Sequence, residues 1–133
     1  MKANETPHEM SLQEKAICLA LTGRKPELPY PLGEVECADG TVFTGCNVEN
    51  AALGSTICAE RNACCKAVSE GHQKFVRLAI YADSENWCTP CGACRQFLAE
   101  FTRDQDIEGL CAKAGNRYVS YKLSELLPHI FGY

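Results

Sequence analysis

The sequence predicts an α/β fold: a mixed five-stranded sheet with helices on both faces, layered α/β/α. Three observations carry this. Hydrophobic periodicity switches along the chain to give the order α-β-β-α-β-α-β-β-α. Asp39-Gly40, set between two strand-like runs, marks a hairpin. Phe75 to Ala82 is nearly continuous in apolar and β-branched residues, as a strand covered on both faces must be. The 133 residues suit one domain with a real core, and 46% hydrophobic with 23% charged content argues against disorder.

Residues 1–10 are polar, contain Pro7, and are expected to fray. Ser11 and Glu14 form a capping box for a helix with Leu12, Ala16, Leu19 and Ala20 on its apolar stripe and Gly23 at its end. The stretch from Pro26 to Pro31 is extended or looped. Glu34 to Cys37 and Thr41 to Val48 read as strands joined at Ala38-Asp39-Gly40, where Asp and Gly both tolerate positive φ. After a small-residue loop from Asn50 to Thr56, Cys58 to Ser69 turns helical, with Ala59, Ala63, Ala67 and Cys64, Val68 at i, i+4 and Gly71 closing it. The strand from Phe75 leads through a loop, Asp83 to Pro90, into a helix from Cys91 to Phe101 with Phe97, Leu98 and Phe101 inward. Ile107 to Cys111 and Arg117 to Tyr121 are strands around Gly115-Asn116, and Ser124 caps a short helix that buries Leu126 and Leu127 before Pro128.

A net charge of −4 leaves no basic footprint, which argues against a nucleic-acid partner. The early apolar run from Ala16 to Leu21 is too short and too far in for a secretory leader, and no stretch approaches the roughly 18 residues of a membrane span. Ten cysteines without a leader point to a reducing cytoplasm, where clustered thiols bind metal or do chemistry.

The chemistry concentrates in Cys58-Ala59-Glu60 and in Pro90-Cys91-x-x-Cys94. Catalytic zinc takes three protein ligands and keeps a place for water, and Cys58, Cys91 and Cys94 supply three sulfurs. Each cluster opens a helix, where free N–H groups and the positive dipole end stabilise thiolates. Pro90 suits a helix entry because its missing donor is no loss there. The first two ligands lie 33 residues apart, room for a helix, a strand and a loop that return the second cluster beside the first. Zn²⁺ with three thiolates is net −1, which the helix dipoles and a donor to the sulfurs, Arg61 or Arg95, offset. Glu60, two residues beyond the first ligand, is expected to stay off the metal and move protons. The other seven cysteines read as packing residues, Cys88 included, and His8, His72 and His129 as surface residues.

Gly45-Cys46-Asn47-Val48-Glu49-Asn50-Ala51, Cys58-Ala59-Glu60-Arg61 and Pro90-Cys91-Gly92-Ala93-Cys94-Arg95-Gln96 resemble the small free-nucleoside cytidine deaminases. Leu126-Leu127-Pro128 with Phe131-Gly132 is similar to that family's C-terminal motif, so the resemblance runs from about Thr41 to Tyr133. It implies one Zn²⁺ per subunit and hydrolysis of cytidine and 2′-deoxycytidine to the uridine products with release of ammonia. It also implies that Asn47 and Glu49 hold the ribose hydroxyls, that Ala51 and the Ala59 backbone read the pyrimidine, and that the Thr89 carbonyl sits by the exocyclic amine. Arg61 would be the charge-neutralising arginine, Tyr30 the aromatic wall for the base, and Phe131 a residue reaching into a neighbour's site in a homotetramer. The sequence departs from the pattern at Glu34 and Glu36, where small or apolar residues are expected, and at Leu53, where the family commonly carries a Tyr against the next subunit. Two other readings stand beside this one. One is an aminohydrolase for another cytosine nucleoside, such as a blasticidin-type antibiotic. The other is a structural zinc or thiol module, which needs a fourth ligand for which Cys88 is the nearby thiol.

Overall fold

Leu32–Cys37 (β1), Val42–Cys46 (β2), Phe75–Tyr81 (β3), Glu108–Lys113 (β4) and Arg117–Lys122 (β5) form one sheet in the order β2-β1-β3-β4-β5. The computed structural model describes residues 32–82, 85–113 and 117–132. The helix expected from Ser11, the Pro26–Pro31 stretch with Tyr30, Cys18 and the Gly115-Asn116 turn lie outside the described residues. Only β3 and β4 pair in parallel among these strands, and Gly92–Ala99 (α2) lies in their crossover, as a parallel pair requires. Ala59–Ser69 (α1) links β2 to β3, and Leu123–Leu126 (α3) follows β5 directly.

The β1–β2 hairpin closes through a three-residue loop: the Gly40 N–H donates to the Cys37 carbonyl at 2.9 Å and the Cys37 N–H to the Thr41 carbonyl at 2.8 Å. Within that loop positive φ falls on Gly40 and not on Asp39, at 88°. Asp39 acts instead through its carboxylate, which accepts the Thr41 N–H at 2.9 Å. β2 ends at Cys46, two residues short of the expected Val48, and Val48 makes an isolated bridge to Ile57.

Strand alternation sorts the core. Val35, Cys37, Leu78 and Ile80 face α1, α2 and α3, packing with Ala63, Cys64, Ala67, Leu98 and Leu123. Ala79, Leu110, Ala112 and Tyr118 form a second cluster on the other side of the sheet, so β3 is buried on both faces as expected. On that second side Glu34 is 1% exposed and Glu36 5%. These are the two carboxylates that depart from the small or apolar residues expected at their positions. Glu36, Arg77 and Glu108 are instead cross-strand partners on β1, β3 and β4. Arg77 reaches Glu36 at 3.8 Å and Glu108 at 3.2 Å, and the Ser120 hydroxyl donates to Glu108 at 2.8 Å.

Helix ends follow local chemistry. In α1 the His72 N–H returns to the Ala67 carbonyl at 2.9 Å and the Gly71 N–H to Val68 at 3.0 Å, with Gly71 at φ 91°. α3 starts two residues earlier than expected, at Leu123, so Ser124 is not its cap. Lys122 holds that position and its N–H donates to the Glu125 carboxylate at 3.2 Å. The Ser124 hydroxyl and N–H go instead to Asp106, at 2.5 and 3.3 Å. Leu126 is buried while Leu127 is half-buried.

Candidate active site and metal centre

Cys58 and Cys91 occupy the same local position. Each is the N-cap of its helix, with φ/ψ of −68°/154° and −68°/168°. Their carbonyls open the first turns by accepting from Asn62 and Arg95 N–H groups at 3.0 Å each. Cys94 sits one turn into α2 and is buried. The three sulfurs lie within 4.8 Å of one another, and Cys58 and Cys91 are 3.7 Å apart. Tetrahedral zinc with Zn–S bonds of about 2.3 Å sets its sulfurs about 3.8 Å apart, so the donor set and spacing fit that ion. Among the described residues Cys88 is not part of this cluster. It packs against the core instead, its thiol pushed up by burial.

What brings α1 this close to the sheet is a pair of glycines. Gly33 and Gly45 are cross-strand partners at the end of the hairpin under the start of α1. A Cβ on Gly45 would lie 2.5 Å from the Ala59 carbonyl oxygen and 2.6 Å from the Ala63 nitrogen. One on Gly33 would lie 2.9 Å from the Ala59 carbonyl carbon. The small stripe Ala59, Ala63 and Ala67 completes this contact. Asn47 then joins strand end to helix start: its Oδ1 accepts the Ala59 N–H at 2.8 Å, while the Asn62 amide donates to the Cys46 carbonyl at 2.7 Å.

Glu60, second residue of α1, is 5% exposed. Burial raises its carboxyl pKa, and a hydrogen bond with the Cys94 side chain works against that rise. Burial likewise pushes the Cys94 thiol up, with the Glu60 charge next in effect. Cys91 moves the other way. Its burial opposes the charged form, but hydrogen bonds from Cys94, Cys58 and the Ala93 backbone together hold it below the usual thiol range. The Arg61 guanidinium donates to the Cys58 sulfur at 3.5 Å and to the Thr56 carbonyl at 2.9 Å, and the sulfur contact raises its pKa further.

Arg95, the other arginine expected at the sulfurs, points its donors elsewhere. They reach the Pro90 carbonyl (2.7 Å), the Leu126 carbonyl (2.7 Å) and the Thr89 hydroxyl (3.1 Å). Glu49 and Ala51 are exposed on the loop after β2, and Thr89 is half-buried before Cys91. Since β2 stops at Cys46, strand alternation does not fix how Asn47 and Glu49 point. Phe131 is 72% exposed, and its carbonyl accepts the Gln96 amide at 2.9 Å. Sequence reasoning gave no part to Gly33, Asn62 or the Arg95 clamp. The paired glycines at a hairpin end were the one visible signal.

A family model described as the cytidine and deoxycytidylate deaminase zinc-binding region matches residues 8–107. A cytidine deaminase of Sporosarcina psychrophila is 52% identical over 77 residues, 57% of this chain and 57% of that protein, so less than two thirds of that relative is spanned. A cytidine deaminase of Halalkalibacterium halodurans is 41% identical over 108 residues, 78% of this chain and 81% of that one. The crystal structure of cytidine deaminase from Burkholderia pseudomallei superposes with a TM-score of 0.79 at 30% identity, covering 92% of this chain and all (100%) of that one.

Proposed function

The chain belongs to the cytidine and deoxycytidylate deaminase family, and from that premise we propose that it hydrolyses cytidine and 2′-deoxycytidine to uridine and 2′-deoxyuridine with release of ammonia. One observation carries the reading: three sulfurs share a metal-sized cluster, and the carboxyl of Glu60, shielded from solvent, is hydrogen-bonded to one of them.

Zinc held by Cys58, Cys91 and Cys94 supplies, when bound, the acidified water that hydrolysis consumes. Glu60 carries the protons. Its burial-raised pKa suits a group that accepts a proton from water and returns it to the ring nitrogen and then to the departing amine. The Thr89 carbonyl accepts from that amine, and Arg95 steadies the segment through Thr89 and Pro90. Asn47 already spends its Oδ1 on Ala59, so it offers amide N–H donors to a ribose oxygen while Glu49 accepts from a hydroxyl. The Ala59 backbone and Ala51 read the pyrimidine edge, and Tyr30 supplies the wall for the base. Arg61 offsets charge at Cys58.

We take residues 1–133 as one domain working in the cytoplasm as a homotetramer with shared sites. Leu53 and Phe131, each 72% exposed, together with exposed Val48, Ile57 and Ile130, support burial against other copies. No helix among the described residues is long and apolar enough to cross a membrane. The test measures bound zinc and ammonia release from cytidine on the wild type and on Glu60→Gln. Both should hold one zinc per chain, and only the wild type should release ammonia at an appreciable rate. A Glu60→Gln protein with full turnover would sink the reading.

A further inference from the structure

We propose that Arg95 is a positioning residue that locks the approach to Cys91 and the C-terminal segment bearing Phe131 into one unit. Its three contacts reach two separate parts of the chain. Thr89 and Pro90 lead directly into Cys91, and the Leu126 carbonyl ends α3. That last carbonyl is one a helix end leaves without an intrahelical partner. The guanidinium satisfies it while fixing the Pro90 carbonyl, one residue before the sulfur.

Gln96 adds the second anchor. Its amide holds the Phe131 carbonyl at 2.9 Å, so residues 126–131 are tied to α2 at both ends. Between the anchors His129 has a φ of 56°, a left-handed bend uncommon for residues other than glycine. Consecutive residues of α2 thus carry a metal ligand (Cys94), the clamp (Arg95) and the tether (Gln96). A guanidinium is required because only its rigid fork can donate in three directions from one plane; a lysine is a single point of charge. Displacing Arg95 should therefore loosen the metal loop and the tail together. The part of this that concerns substrate rests on the deaminase reading and on Phe131 completing a site.

The experiment compares wild type, Arg95→Ala, Arg95→Lys, Phe131→Ala and the Arg95→Ala/Phe131→Ala double variant. Zinc release to a colorimetric chelator, amide exchange over residues 126–131, and kcat and KM for cytidine are measured on each. Arg95→Ala and Arg95→Lys should each release zinc about tenfold faster, exchange faster over 126–131, and raise KM about tenfold. Phe131→Ala should raise KM with zinc release unchanged. The double variant should show no higher KM than Arg95→Ala alone, because both changes remove the same contact. Unchanged zinc release in Arg95→Ala, multiplying KM effects, or full recovery by lysine would each overturn the proposal. If Arg95→Ala does not fold, Arg95→Lys carries the same comparisons. If the wild type turns over no cytidine, the deaminase reading fails while zinc release and amide exchange still decide the coupling.

Discussion

Gly45→Ala puts a methyl group where the structure has α1 backbone. The new carbon would stand 2.5 Å from the Ala59 oxygen and 2.6 Å from the Ala63 nitrogen, whereas ordinary contact begins at 3.4 Å. Neither atom belongs to a side chain that could swing aside, so the start of α1 must lift by about 0.9 Å. Overpacking of this kind costs about 1–3 kcal/mol, and roughly 0.5–1 kcal/mol returns because alanine loses less entropy than glycine. A net loss of about 1–2 kcal/mol lowers the melting midpoint by roughly 3–8 °C in a domain of this size. The catalytic cost should be larger. Ala59 lies between Cys58 and Glu60, and a misplacement near 1 Å removes about 100-fold in rate. Thermal melts, zinc content and kcat with cytidine are the assay. Gly109→Ala is the control, since its Cβ would meet only Tyr121 O at 3.5 Å and Leu126 Cδ1 at 4.0 Å. A Gly45→Ala protein with wild-type midpoint and a kcat within twofold of wild type would refute the glycine-pad argument.

Asn47→Ala should cost about 1–3 kcal/mol by leaving the Ala59 N–H unpaired, whereas Asn47→Asp keeps the acceptor and should hold the midpoint while raising KM; chemical denaturation and kinetics separate the two. Cys111 is fully buried, and burial pushes its thiol up to about 12 from 9.0. The folded state then keeps the proton longer than the unfolded one. Its stabilising effect is complete below pH 9 and should fall by about 1.4 kcal/mol per pH unit as pH rises from there toward 12. Cys111→Ala should flatten the alkaline limb of a denaturation series, and an unchanged slope would refute the assignment. Arg61→Gln removes the positive charge beside the Cys58 sulfur and should move the acid limb of the cytidine pH–rate profile up by about one unit.

The parts of the fold that were legible in the sequence are those whose causes are local. α1 and α2 follow Cys58 and Cys91, which hold the N-cap positions in extended backbone before runs with helical periodicity, and α1 ends at Gly71 because its left-handed φ closes the helix. The sulfur trio was readable for the same reason: two equivalent helix starts need only be carried to one sheet edge. The misjudged features depend on distant partners. β2 stops at Cys46 because Asn47 and Asn62 bind across to one another's segments, which no strand pattern encodes. Glu34 and Glu36 stand as charges where the family pattern expects small or apolar residues, and for Glu36 the partner Arg77 that accommodates its burial lies far along the chain. Arg95 beside a ligand cysteine invites a sulfur contact, yet its neighbours in space are carbonyls from Pro90 and Leu126.

The shared N-cap geometry of Cys58 and Cys91 also bears on charge. A divalent ion with three thiolates is net −1, too electron-rich to acidify water well. Each helix start contributes roughly +0.5 of an elementary charge, and two of them bring the sum near zero. Arg61, 3.5 Å from the Cys58 sulfur, then takes it positive. The 11-residue α1 and 8-residue α2 are both long enough to present such a dipole end. With zinc bound, a three-sulfur site would still acidify its water because the fold points two helix N-termini at it, and weakening either start should make that water harder to ionise without removing a ligand.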